Sequence, residues 1–466
     1  MSVKNTQAKL SSRQISMMGI GGAIGAGLFI GSGAAVKAAG PAVIIAFAVA
    51  GLLVVLLMHM LAEMAAAHPE SGAFSVYAEK ALGPTAGTVI GWLYWIQLVI
   101  VVAAETTGAA TIVGGWFPAI PQGVWALLFV VVLTAVNLLN VARFGQFEYW
   151  FAMLKVAAIV GFLVIGAALV FGWIPGVHAT GIGNLFQHGG FMPNGIVGVC
   201  AGLLMVVFAF GGTEIVAIAA AESDDPKNNI RRAVRSVMVR VLTFYIGSAF
   251  IMVSVLPWDG KELATGPFVA VLSVARIPGI DTAMAVVVVI ALLSAMNANI
   301  YASSRMILSL SERGIAPRFV ARRAGLGIPR VAVIASVLFS LVTVVANFIA
   351  PDLVLPMLLN AVGSTLLILW SFIVVSQIVL RVRADRDPGV HLPVRMAGFP
   401  YLSGLALVLL VGVMVLTMFD GPGRGQLLAT IGLTAVIAVL ALVFKRRTPD
   451  EPVEAVEPAV LERVGG

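Results

Sequence analysis

The chain has 466 residues, 60% of them hydrophobic and 11% charged, with a formal net charge of +7. Soluble domains carry about 25% charged residues, so this composition excludes an ordinary soluble fold and predicts an all-α polytopic membrane protein. The apolar runs are too long and too continuous for β-barrel strands, and the basic excess lies in short loops, where membrane topology explains it better than nucleic acid does. A single cysteine, Cys200, allows no intrachain disulfide.

Read in chain order, the sequence opens on a polar cytoplasmic segment, 1–15, with Lys4, Lys9 and Arg13. Twelve transmembrane helices follow, near 16–38, 41–66, 88–115, 122–141, 150–172, 195–219, 233–257, 281–308, 331–349, 353–378, 399–419 and 426–445, each about the 20 apolar residues a bilayer requires. The first is long and leads at once into a second span, so it reads as an uncleaved helix rather than a signal peptide. An even number of spans puts both termini on one side. With that side cytoplasmic, all but Lys37, Lys261, Arg276 and Arg424 of the 29 basic residues fall inside, which fixes the orientation. The last stretch, 448–466, is rich in Pro and Glu and reads as a disordered cytoplasmic tail.

Two spans are interrupted by glycine. Residues 19–33, GIGGAIGAGLFIGSG, hold seven glycines, and FAFGGTEIV at 208–216 holds a pair in the sixth span. Each interior glycine costs a helix roughly 0.8–1.0 kcal/mol against alanine. Close helix packing through GxxxG spacing is one explanation, and Gly21 with Gly25 and Gly27 with Gly31 satisfy it. Locally unwound helix is the other. The two interruptions lie five spans apart, an odd number, so they sit at matching places in oppositely oriented halves. That pattern points to a transporter's binding site. Freed N–H groups suit a carboxylate, freed carbonyls suit an ammonium, and a small zwitterion fits between them. Walker and dinucleotide motifs are excluded, since no Gly-Lys-Ser/Thr ending and no βαβ context are present.

Several segments carry a resemblance over residues 12–447: GGAIGAGLFIGSG (21–33), AGPAVIIAF (39–47), LAEMAAAHPESGAFSVYAEKALGPTAG (61–87), GWLYW (91–95), FGQFEYWFAMLKVAAI (144–159), GGFMPNG (189–195), FAFGGTEIVAIAAAESDDP (208–226) and NANIYASSRMILSLSERGIAP (297–317). The chain resembles amino acid permeases of the amino acid–polyamine–organocation superfamily. Within it, the likeness is to the bacterial amino acid transporter family, and most of all to γ-aminobutyrate permeases. The resemblance implies a leucine-transporter-like fold of two inverted five-helix repeats, about 16–172 and 195–378, with helices 1 and 6 broken. Residues 16–378 would form the transport core, and 379–447 a cytoplasmic loop with two accessory helices. It implies proton-coupled amino acid uptake across the bacterial cytoplasmic membrane, with no cofactor and no metal. The substrate carboxylate would lie on Ile24, Gly25, Ala26 and Gly27, where some relatives have Ser in place of Ala26. The amine would lie toward Phe208, Ala209 and Gly211, with Phe208 as an aromatic gate.

Ionisable groups inside a membrane cost at least ~2.5–3.5 kcal/mol each and need a reason. Lys155 either snorkels to the cytoplasmic interface or, as the resemblance implies, takes the place of a coupling ion near the carbonyls of Gly21 and Gly22 and near Ser294. Glu105 is either a structural hydrogen-bonding group or a receiver of the substrate ammonium or of the proton. Glu214 is a helix cap or a gating residue. Asn297 and Tyr301 hold the scaffold or support the ion site. His59 reads as a packing residue, and Glu63, Arg240 and Arg305 as interfacial. The partners expected are an amino acid, a proton and the lipid bilayer. A channel lacks its selectivity rings here, and a membrane enzyme lacks any HExxH or GxSxG cluster. An exchanger, a facilitator and a non-transporting nutrient sensor remain alternatives on the same fold.

Overall fold

A computed structural model describes residues 24–67, 73–139, 144–213, 226–261, 263, 266–321, 330–389 and 392–443. Among them the regular structure is helical throughout. A π-turn, Gly27–Gly31, leads into α1 (Ser32–Ala39) and, through the Gly40–Ala42 turn, into α2 (Val43–Ala67). There follow α3 (Ala73–Leu82), α4 (Pro84–Trp116), α5 (Gln122–Leu139), α6 (Phe144–Phe171) and α7 (Gly195–Ala209). Next come α8 (Pro226–Arg240), continued by a π-turn Val241–Ile246 into α9 (Gly247–Val255), then α10 (Pro267–Val274) and α11 (Ile280–Glu312). The chain closes with α12 (Arg330–Ile349), α13 (Pro351–Arg386), α14 (Tyr401–Thr417) and α15 (Gly421–Val443).

Eight of the described helical stretches are long and apolar enough to cross a membrane, and three shorter apolar helices, 122–138, 195–209 and 401–417, accompany them. Their starts obey local chemistry. Pro84 and Pro351 occupy the first turn of α4 and α13, where the missing N–H costs nothing. Two short helices, α3 and α10, lie between the expected spans. Both are too short to span a bilayer, and each packs beside a longer helix.

The core sits where α11 and α13 pack on α4 and α13 packs on α7, with α1, α7 and α10 against the Gly27–Gly31 turn. In α13, 78% of the most apolar window is buried, whereas in α15 only 17% is. The outward faces of α6, α12 and α15 instead present side chains such as Val164, Phe171, Val342, Ile349 and Val443. An apolar exterior around a packed interior is the arrangement a lipid-solvated bundle requires.

The interior also encloses two of the charges read as interfacial. Glu63, read as interfacial, is only 3% exposed. Its Oε2 accepts from Arg381 Nη1 at 2.7 Å and from the Met396 amide at 2.5 Å, and its Oε1 accepts from Gln377 Nε2 at 2.9 Å. Arg240 is buried too. A charge near a helix end can be enclosed by protein, as Glu63 is where Arg381, Gln377 and Met396 supply its partners, and sequence spacing does not reveal them. Arg305 lies over the Tyr301 ring, 5.1 Å from its centroid.

Candidate functional site

Ile24 and Gly25 are bends, and the described helix begins at Ala26. The first N–H groups of any helix have no intrahelical acceptor, so the Ala26 amide must find one elsewhere. On the other side, α7 stops at Ala209 and the chain turns through Phe210–Gly212. This helix start and that helix end meet directly. A Cβ on Gly27 would stand 2.5 Å from the Cα of Ala209 and 2.9 Å from the carbonyl carbon of Phe208. Main chain rests on main chain there, and only glycine allows it.

Glu105, on α4, reaches this junction. It is 2% exposed, and the Ala26 N–H is shared between its Oε1 and Oε2 at 3.1 and 3.0 Å. Gly25 makes room for it, since a Cβ there would lie 2.3 Å from Oε1 and 3.3 Å from the Cβ of Ala295 on α11. A carboxylate on a helix-start amide is favoured by charge-assisted hydrogen bonding and by the local dipole. Lys155, on α6, is 1% exposed and interacts electrostatically with Glu105. An ammonium so enclosed does not snorkel, because snorkelling leaves the charged head in water.

The carbonyls at the α7 end are engaged as well. Ala209 O accepts from the Tyr245 hydroxyl at 3.0 Å, and Phe208 O accepts from the Gly211 amide at 3.0 Å. Phe210 O accepts from the Thr213 hydroxyl at 2.8 Å. Each carbonyl keeps a second lone pair for another donor. Phe208 itself is buried in the last turn of α7, while the neighbouring Phe210 ring stacks on Tyr245 with centroids 4.5 Å apart.

The structure thus brings Ile24, Gly25, Ala26, Gly27, Phe208, Ala209, Gly211, Glu105 and Lys155 into one buried neighbourhood. Ser294 is buried on α11, one residue from the Ala295 that flanks Gly25. Asn297 stands further along that helix and accepts from Asn137 Nδ2 at 2.7 Å, which ties α11 to α5. His59 Nδ1 lies 2.8 Å from the Val55 carbonyl of its own helix. Glu214, Gly21 and Gly22 lie outside the described residues.

Two residues were not singled out from the sequence. Tyr245 holds the Ala209 carbonyl, and nothing in its apolar surroundings marks it. Gln97 lies eight residues before Glu105 on α4, hence on the same helix face. It is 3% exposed, its Oε1 has no hydrogen-bond partner among the described residues, and its Nε2 is 3.8 Å from where a Gly211 Cβ would be. A polar side chain inside an apolar span at i−8 from a buried glutamate was the available signal.

With that geometry in place, comparison with known proteins is informative. The amino acid permease family matches residues 14–446. An aromatic amino acid transport protein, AroP, of Corynebacterium glutamicum is 46% identical over 93% of this chain and 94% of its own length. A gamma-aminobutyric acid permease of Bacillus subtilis is 41% identical over 97% of this chain and 98% of its own. One of Escherichia coli K12 is 40% identical over 94% and 96%. Family and relatives alike are permeases, transporters rather than enzymes. The chain belongs to the amino acid permease family and is an integral membrane protein.

Proposed function

We propose that this protein is a secondary active transporter that takes up an amino acid together with a proton across the bacterial cytoplasmic membrane. The observation that carries the reading is the contact of main chain with main chain at Gly27 and Ala209, beside the buried Glu105 and Lys155. Interrupted helix in a membrane is tolerated where it lines a cavity or meets a ligand. The substrate carboxylate is assigned to the amides from Ile24 to Gly27, and the ammonium to the carbonyls around Phe208, Ala209 and Gly211. Lys155 and Glu105 are the groups assigned to proton coupling, with Ser294 and Asn297 in support and Glu214 in gating. The relatives named above make γ-aminobutyrate and aromatic amino acids the first substrates to try. Proline and other neutral amino acids use the same cradle chemistry.

Twelve spans in two inverted halves, with both termini cytoplasmic, complete the proposal. The ends of α11 and α13 carry Arg313, Arg381, Arg383 and Arg386, in keeping with an inward-facing basic surface. One proton moving down a 100 mV potential supplies ~2.3 kcal/mol. That supports roughly fiftyfold accumulation of a neutral zwitterion, at about 1.4 kcal/mol per tenfold.

The test is uptake into proteoliposomes with an imposed pH gradient and potential, using the twenty amino acids and γ-aminobutyrate. Uphill accumulation that collapses with a protonophore is expected. Flux only in exchange for internal amino acid, flux only down its gradient, or binding without flux would replace symport by exchange, facilitation or sensing. Lys155→Ala should abolish accumulation driven by the pH gradient. Full uphill uptake in that variant would remove Lys155 from the coupling.

A further inference from the structure

The amide assigned to the substrate carboxylate already holds a carboxylate of the protein. Ala26 N–H is shared by both oxygens of Glu105, at 3.1 and 3.0 Å, and Gly25 leaves the space in which that carboxylate sits. This grip differs from an ordinary structural hydrogen bond in three respects. The donor is a main-chain group at a helix start rather than a side chain chosen to match. Both oxygens converge on one N–H, a three-centre arrangement. The carboxylate approaches over a glycine whose replacement would bring a Cβ to 2.3 Å from it.

We propose that Glu105 is a tethered stand-in for the substrate's carboxylate: it occupies the Ala26 amide, and an incoming amino acid must displace it to bind. The inference rests on the assignment of the substrate carboxylate to residues 24–27 and adds a competitor built into the chain. Two consequences follow from elementary electrostatics. An amide in a membrane interior is never left without an acceptor, so the interrupted helix keeps its shape between transport events. Two carboxyl groups do not share one N–H, because it has a single hydrogen and both Glu105 oxygens already converge on it. A ligand able to displace Glu105 therefore needs a carboxylate of its own. Amines and carboxamides that share the rest of the substrate's shape lack the group that wins the amide. Glu105 thereby acts as a specificity-determining residue for the acid end of the ligand, whatever side chain the pocket accepts.

The experiment uses the purified full chain in detergent, its Glu105→Gln and Glu105→Ala variants, and four probes: L-phenylalanine, γ-aminobutyrate, phenethylamine and sodium formate. Glu105→Gln keeps the shape and one acceptor oxygen but loses the charge, so it competes more weakly. L-Phenylalanine or γ-aminobutyrate should bind it about tenfold more tightly than the unmodified chain, the exchange of one charge-assisted hydrogen bond for a neutral one. Phenethylamine should bind neither protein. Formate should raise the unfolding temperature of Glu105→Ala and leave that of the unmodified chain unchanged. Equal or weaker amino acid binding by Glu105→Gln overturns the proposal, as does a formate shift of the same size in both proteins or in neither. Amino acids that bind none of the three proteins would defeat the proposed substrate class, and the formate comparison then decides the stand-in by itself. A Glu105→Ala chain that does not fold leaves the decision to Glu105→Gln.

Discussion

Glu63 and Glu105 are equally buried carboxylates held in unlike ways. Glu63 closes a network in which α2, α13 and the segment before α14 each contribute: Arg381 neutralises it, and Gln377 and the Met396 amide donate to it. Ser403 on α14 extends the network by donating to Gln377 Oε1 at 2.9 Å. Glu105 is met by a main-chain amide at a helix start and by the field of Lys155. The first arrangement is a clamp, since both oxygens find fixed donors. The second leaves a charged group on a donor that a small anion also wants. Burial by itself does not distinguish a structural charge from a functional one; the partners do.

The largest effect expected on either side of this comparison is at the clamp. Arg381→Ala strands a buried carboxylate and should cost about 3–5 kcal/mol of stability, read as a lower unfolding temperature and lower yield. The double variant Glu63→Gln, Arg381→Met should recover most of that loss, because no unpaired charge remains. A single variant as stable as the unmodified protein would show that the network is dispensable. Next comes the junction of interrupted helices. Gly27→Ala drives a Cβ into the Ala209 backbone and should cost about 1–3 kcal/mol and abolish uptake. Gly25→Ala meets the Glu105 side chain instead, so it should destabilise less and change ligand affinity more. Equal behaviour of the two glycine variants would blur the distinction between a fixed backbone contact and a displaceable carboxylate. Tyr245→Phe removes the donor to Ala209 O and should cost about 1 kcal/mol, with a modest change in apparent affinity for substrate. The smallest effect belongs to Asn297→Ala. It breaks the bond from Asn137 and should cost about 0.6 kcal/mol in thermal unfolding, leaving affinity unchanged.

Much of this was legible in the chain itself. An apolar fraction of 60% dictates helices in lipid, and Gly25 and Gly211–Gly212 fall where one described helix starts and another has stopped. Glu105 and Lys155 stood out because a charge in an apolar span is costly enough to demand a function. The helix lengths were less legible. The sequence reading ended one span at 378, yet α13 continues to Arg386, because Arg381 and Arg383 find partners on α2 and at the end of α3. Spacing along one strand of sequence carries no information about such partners.

What the sequence determined by itself was therefore everything governed by transfer into lipid: the helical class, the membrane and the shortlist of charged residues. What only the tertiary structure decided was who meets whom. Glu105 lies 79 residues from Ala26, Tyr245 lies 36 from Ala209, and Arg381 lies 318 from Glu63. Hydrogen bonds act over about 3 Å while the chain separates their partners by whole helices, so only packing turns a list of polar residues into a site.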